Sequence, residues 1–199
     1  MSSFKEFMTE TDKALHAFGK YVVQQSRSRL TRASRNKDTN SKLYRSIDYK
    51  VEDLEDHFLV KFPFMKDLEY AKYQDLGVKG TIANYIENRR SPFSFGTGTG
   101  KKGGLKEAIA AWIRKKKFQF RQNDQIKVKG KLVDNPKAGQ FMSYKTMTFL
   151  ISRSIYQKGI PAKHFFSKSF QLGRIRLSDE LTKALGTDIK EAFKNYEKK

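Results

Sequence analysis

Apolar residues near the start of the chain recur at steps of three and four. Phe4, Met8, Thr11, Leu15, Phe18 and Val22 fall on one stripe, with Lys5, Lys13 and Lys20 mostly elsewhere. That spacing predicts a long amphipathic helix. It weakens after Val23 and runs out near Arg35, where Arg27, Arg29 and Arg32 would place positive charge at the negative end of the helix dipole. Residues 36–41 are polar and turn-rich. The period then changes to two: Leu43, Ile47, Tyr49 and Val51 alternate with Tyr44, Ser46, Asp48 and Lys50, with Arg45 as the exception. A second alternating run, Phe58, Val60 and Phe62, follows the acidic link Glu52-Asp53-Leu54-Glu55-Asp56. Two such runs joined by a short polar link predict an antiparallel hairpin. Pro63 ends the second strand or confines it to an edge.

Residues 68–76 predict a short helix stopped by Gly77 and Gly80. Residues 81–104 predict a loop excursion, because Arg89-Arg90-Ser91-Pro92 and Gly96-Thr97-Gly98-Thr99-Gly100 offer little that packs. Helical spacing returns with Leu105, Ala108, Ile109, Trp112 and Ile113. Phe118-Gln119-Phe120 and Ile126-Lys127-Val128-Lys129 read as short strands or extended chain, and Asn135-Pro136-Lys137-Ala138-Gly139 as a turn. A further helix over residues 143–158 turns Tyr144, Met147, Ile151 and Ile155 inward, with Gly159 as C-cap and Pro161 as stop. Phe165, Phe166 and Phe170 form an apolar cluster. The last helix is expected to start at Ser178, with Asp179 and Glu180 in its first turn. Its stripe is Leu181, Leu185, Ile189, Ala192 and Phe193 or Tyr196. The order helix, hairpin, insertion, helix, helix predicts an α+β fold, organised as a single domain over residues 1–199 with an insertion at about 81–140.

Length and composition agree with a folded chain. At 199 residues with 16 Phe and 9 Tyr, there is apolar material for a core that buries roughly 70% of the unfolded surface. The charge changes the picture more. There are 41 Lys and Arg against 21 Asp and Glu, a net charge of +20. Such an excess repels itself in a compact state and calls for a polyanion. Nucleic acid is the commonest one, and an acidic protein surface would serve too. A membrane surface fits less well, since no basic amphipathic segment stands alone at an end. Cysteine is absent, which excludes disulfides, thiolate nucleophiles and Cys-based zinc sites. Residues 1–20 have no apolar signal-peptide core, and no apolar run reaches the ~20 residues that span a bilayer. The expectation is a soluble protein made and used in the cytoplasm, with no membrane partner.

Catalytic motifs are weak. His16, His57 and His164 stand in no ligand spacing, and neither H-E-x-x-H nor G-x-S-x-G occurs. Asp48-Tyr49-Lys50 is the nearest approach to a carboxylate–lysine nuclease strand, a pattern frequent by chance. Gly98-Thr99-Gly100-Lys101-Lys102-Gly103 matches G-x-G-x-x-G, but no buried strand precedes it as a dinucleotide site requires. The P-loop pattern fails as well: Phe95 stands where its first glycine is needed and Lys102 where Ser or Thr is needed. No cofactor is expected. The basic density says more. Lys101, Lys102, Lys106, Arg114, Lys115, Lys116, Lys117, Arg121, Lys127, Lys129 and Lys131 are opposed only by Glu107 and Asp124. Such a surface would satisfy backbone phosphates without reading bases, although a charge run is also the ordinary make-up of a solvated face. Phe118 and Phe120 within the run are candidates for base stacking or for the core.

Three stretches resemble the neck or tail-completion (head–tail connector) proteins of tailed bacteriophages. Leu43-Tyr44-Arg45-Ser46-Ile47, after a long helix, resembles that family's L-x-x-S-I lead-in to its hairpin. Residues 70–80, Tyr70-Ala71-Lys72-Tyr73-Gln74-Asp75-Leu76-Gly77-Val78-Lys79-Gly80, are similar to its Y-A-x-Y-x-x-x-G-x-x-G segment. Ile160-Pro161-Ala162-Lys163-His164-Phe165-Phe166 is similar to its P-A-x-x-F stretch before the closing helix. The order matches, and the resemblance covers about two thirds of the chain, with residues 81–140 outside it. In the family an acidic residue more often stands just before the first glycine, where this chain has Leu76. The resemblance implies a structural virion protein, not an enzyme: a homo-oligomeric ring joining portal or connector to tail along the path of the packaged DNA, assembled in the host cytoplasm. Lys101, Lys102, Arg114, Lys115, Lys116, Lys117, Arg121, Lys127, Lys129 and Lys131 are then the candidates for contact with DNA phosphates or an acidic neighbour. The Gly- and Lys-rich insertion is a candidate assembly arm that orders on a neighbouring subunit. The runner-up is a sequence-nonspecific nucleic-acid-binding accessory protein; a metal-dependent nuclease using Asp48 comes third.

Overall fold

The computed structural model describes residues 7–33, 39–54, 56–82, 90–95, 104–117 and 119–197. The fold is α+β, with long helices and three small antiparallel ribbons. The chain divides into two compact units: Met1–Gly77 with Pro161–Lys199, and Val78–Ile160 inserted between them. The expected insertion at 81–140 lies inside the second unit, which also takes in the helix expected at 143–158.

The first unit, the body, is built on two antiparallel helices, α1 (Thr9–Ala33) and a long C-terminal helix (Ser167–Glu197). The stripe predicted for α1 is the buried one: Thr11, Leu15, Phe18 and Val22, joined by Gly19, Val23, Ser26 and Leu30. Phe4 lies outside the described residues. After α1 comes a difference from the sequence reading. Lys42–Ser46 is a turn of helix, α2, N-capped by Ser41, whose side chain accepts from the Tyr44 amide at 3.2 Å. Leu43 and Ile47 are four apart, so a helical turn buries both on one side, and they are 2% and 0% exposed. The strand begins only at Lys50. β1 (Lys50–Asp53) pairs with β2 (Phe58–Lys61) in the predicted hairpin, with Val51 opposite Val60. Glu52 and Asp53, expected in the link, belong to the strand. Pro63 ends β2 and starts a single turn, α3 (Phe64–Asp67), followed by α4 (Glu69–Leu76) and by Gly77 at φ 71°.

One core holds the body together. Val23, Leu30, Leu43, Ile47, Phe64, Leu68, Ala71 and Phe165 are its buried members. Phe18, Phe62, Phe166 and Phe170 extend it edge to face, with ring centroids 5.2–6.2 Å apart in their four T-shaped pairs. Each long helix is N-capped by a distant carboxylate. Asp188 accepts from the Glu10 and Thr11 amides at 2.9 Å each and from the Thr11 hydroxyl at 2.7 Å. Asp75 accepts from the Phe166 amide at 2.8 Å and the Ser167 amide at 3.1 Å. These bonds occupy donors that a helix cannot satisfy itself.

The C-terminal helix therefore begins at Ser167 and not at Ser178, which lies inside it. Gly173 also lies inside this helix. In the structure it allows close packing, since a Cβ there would sit 2.9 Å from Phe18 and Val22 side-chain atoms. The face on α1 runs through Ser169, Gly173 and Asp188. Ile189, Phe193 and Tyr196, expected inward, are 49%, 67% and 83% exposed. Asp188 already meets the first turn of α1, so these residues extend past that turn.

In the inserted unit, β3 (Val78–Lys79) pairs with β6 (Gly159–Ile160), and Lys79 also bonds Phe93 and Phe95 through its backbone. Residues 80–82 press on the end of a helix, Tyr144–Lys158, that is N-capped by Ser143 and closed, as the sequence predicts, by Gly159, here at φ 85°. It packs on α5 (Gly104–Lys116). Ile113 and Met147 are fully buried, whereas Trp112 and Tyr144, expected inward, are 44% and 42% exposed. Here α6 denotes Tyr144–Lys158, and α7 denotes Ser167–Glu197.

Candidate functional site

The basic run of the sequence becomes three separate places in the inserted unit. The first is the end of α5. Arg114, Lys115, Lys116 and Lys117 are all exposed, with Lys117 at φ 52° in the helix-ending turn and its amide donating to the Ile113 carbonyl at 2.9 Å. The second is the root of a β-ribbon. There Arg121 bridges to Phe141, its guanidinium 4.5 Å from that ring and donating to the Gly139 carbonyl at 2.7 Å. Those bonds fix the ribbon's base. Phe120 belongs to this root: its amide meets the Met147 sulfur at 3.3 Å and its carbonyl accepts from Met142. That makes Phe120 part of the anchorage, although its ring is 49% exposed. Asn135, which is buried, ties the expected 135–139 turn to the segment that leads into the ribbon by donating to the Asn123 carbonyl at 2.9 Å.

The third place is the ribbon itself. β4 (Gln125–Val128) pairs with β5 (Lys131–Asp134) through a two-residue turn, Lys129 at φ 45° and Gly130 at φ 86°. Both central residues have positive φ, the type I′ geometry that suits the twist of a hairpin. Every residue of both strands is exposed. Paired residues share a face. One face therefore carries Gln125, Lys127, Leu132 and Asp134, and the other carries Ile126, Val128, Lys131 and Val133. Lys129 stands in the turn. The four apolar side chains Ile126, Val128, Leu132 and Val133 are 40%, 46%, 67% and 41% exposed. The sequence pattern does not predict β5, because its apolar pair Leu132-Val133 does not alternate. Lys101, Lys102 and Phe118 lie outside the described residues.

The residues weighed for catalysis have other places. His16 meets the Tyr49 hydroxyl at 3.2 Å, where burial first, and then the charge of Asp48, raise the Tyr49 phenol above its ordinary value. His57 meets Asp56 at 2.5 Å and, by that hydrogen bond, holds the Asp56 carboxyl below the usual range. The His164 amide donates to the Asp75 carbonyl at 2.9 Å. Asp48 and Lys50 are both exposed, and among the described residues no three His, Asp or Glu side chains gather. No helix among them is long and apolar enough to cross a membrane.

Parts of all three motif stretches meet in the body, while Val78, Lys79, Gly80 and Ile160 belong to the inserted unit. Leu43, Ile47, Ala71 and Phe165 share the one core. The Asp75 carboxylate joins the second stretch to the third, and Gln74 does so too, its carbonyl accepting from the Lys163 amide and its side chain from the Lys163 ammonium, both at 3.0 Å. Burial lowers the Lys163 ammonium below its ordinary value. These are fold-making residues. Comparisons with protein-family models, curated proteins and solved structures find no match.

Proposed function

We propose that this is a structural protein of the neck or tail-completion ring of a tailed phage particle, joining portal or connector to tail. In this reading the body is the ring-forming frame and the inserted unit makes the charged contact. The observation that carries it is the β4–β5 ribbon. A two-stranded hairpin with both faces in water is marginal on its own, yet this one is anchored at its root and exposes four large apolar residues among three lysines. Such a surface is suited to burial against another molecule. The motif stretches support the same reading, because each contributes residues to the core or caps that define the body. Neutralising Arg114, Lys115, Lys116 and Lys117 is expected to weaken head–tail joining or DNA retention.

The deciding experiment is mass spectrometry of purified particles with light scattering of the free protein. A fixed, ring-like copy number in virions is the expected result. Absence from particles, with tight low-salt DNA binding by the monomer, would favour an accessory nucleic-acid-binding protein instead.

A further inference from the structure

The same chain carries a second exposed hairpin of opposite character. The β1–β2 end presents Asp53 and Asp56, with Leu54 40% and Leu59 37% exposed between and beside them. Glu52, on the strand leading into it, pairs with Lys61, and Asp56 is hydrogen-bonded to His57. The β4–β5 ribbon presents Lys127, Lys129 and Lys131 among Ile126, Val128, Leu132 and Val133. Charge alternating with exposed apolar surface suits a protein neighbour better than DNA: protein interfaces have apolar centres and polar rims, while DNA interfaces are polar and strongly positive.

We propose that the basic β4–β5 ribbon of one copy docks on the acidic β1–β2 hairpin of the next. The inference rests on reading the ribbon as an assembly contact, and it names a second copy of this chain as its occupant. The two patches are different surfaces, so the contact is heterologous: it repeats head to tail, and closes into a ring or runs on according to the rotation per copy.

The test is charge reversal followed by mixing, with full-length protein at low ionic strength in sedimentation velocity. Wild type is expected to associate in a salt-sensitive way. Lys127→Glu/Lys129→Glu/Lys131→Glu and Asp53→Lys/Asp56→Lys should each sediment as monomers, their association weakened at least about tenfold. Mixed together they should associate again, because each supplies the partner the other lacks. All five positions are exposed, so both variants should keep the wild-type circular dichroism. The absence of cysteine permits a second measurement: Lys129→Cys mixed with Asp56→Cys should form an inter-copy disulfide under mild oxidation. A monomeric wild type, or a mixture that stays monomeric, would overturn the proposal. So would a ribbon reversal that leaves association intact while abolishing binding to a short DNA duplex; the ribbon would then be a DNA contact. Absence of the protein from virions bears on the neck reading alone, and leaves the hairpin contact to be judged by the mixing result.

Discussion

Replacing Asp188 by alanine removes the cap that α7 supplies to α1, and its size follows from the geometry. The side chain is 2% exposed and accepts two amides and one hydroxyl within 2.9 Å. Losing an N-cap costs about 1 kcal/mol. Hydrogen bonds to a charged acceptor contribute about 1.5–3 kcal/mol each, but water recovers part of the loss at a helix end. A net loss of about 3 kcal/mol is expected. With a urea slope of about 2 kcal/mol/M, the midpoint followed by circular dichroism falls by about 1.5 M. Asp188→Asn keeps an acceptor without the charge and should lose about half as much. The pH dependence gives an independent check. Burial raises the Asp188 carboxyl, but the Thr11 hydroxyl, the Glu10 and Thr11 amides and the charge of Lys13 outweigh it, and the net shift is downward. A lowered carboxylate contributes stability that is complete above its unfolded value, about 3.9, and is lost as pH falls through the folded value. The gap between wild type and Asp188→Ala should be constant from about pH 7 to about 5 and shrink below about 4. A midpoint shift under about 0.3 M, or a gap as wide at about pH 3 as at about pH 7, would refute the reasoning.

Asp75→Ala should uncap α7 and cut the tie to the third motif stretch, lowering stability by about 1–3 kcal/mol in the same urea assay; an unchanged midpoint would show the cap to be idle. Gly80→Ala places a Cβ 2.0 Å from the Gln157 carbonyl oxygen, forcing residues 80–82 off α6 at a cost of about 1–3 kcal/mol. The single tryptophan, Trp112, lies in that unit, so its fluorescence reports the loss. Replacing Arg114, Lys115, Lys116 and Lys117 with glutamine should flatten the salt dependence of duplex DNA binding, measured by anisotropy. The log–log slope should fall by up to about 0.9 for each phosphate that is no longer neutralised. Arg121→Ala should instead loosen the ribbon root, seen as faster amide exchange over residues 119–142.

Much of the fold is legible where one element buries one clear stripe. α1, the β1–β2 hairpin, α4 and α6 with its Gly159 cap all follow from local pattern. The failures have physical causes. Leu43 and Ile47 are four apart, a spacing that satisfies both an alternating strand and a helical turn, and local sequence does not choose between them. The start of α7 is hidden because its cap comes from Asp75, ninety-one residues away from the Phe166 amide it holds. In the candidate site, the lysines are visible but their division is not: position in the run does not reveal that Arg121 is spent on Phe141 and Gly139 while Lys127, Lys129 and Lys131 ride a free-standing ribbon. The acidic hairpin is easily passed over, because a net charge of +20 draws attention to the cations alone.

The pairing of Val78 with Ile160 has a consequence for how such a chain can change over time. It clamps the two ends of the inserted unit side by side, so to the frame that carries it a whole folded module is equivalent to one tight loop. Closing a flexible loop costs more as it lengthens, but a module with its ends already joined escapes that dependence. Its contents are then free to diverge in length without a matching change in the frame. The size of the module and the integrity of the frame are in this way written in separate stretches of one gene product, and can evolve at separate rates.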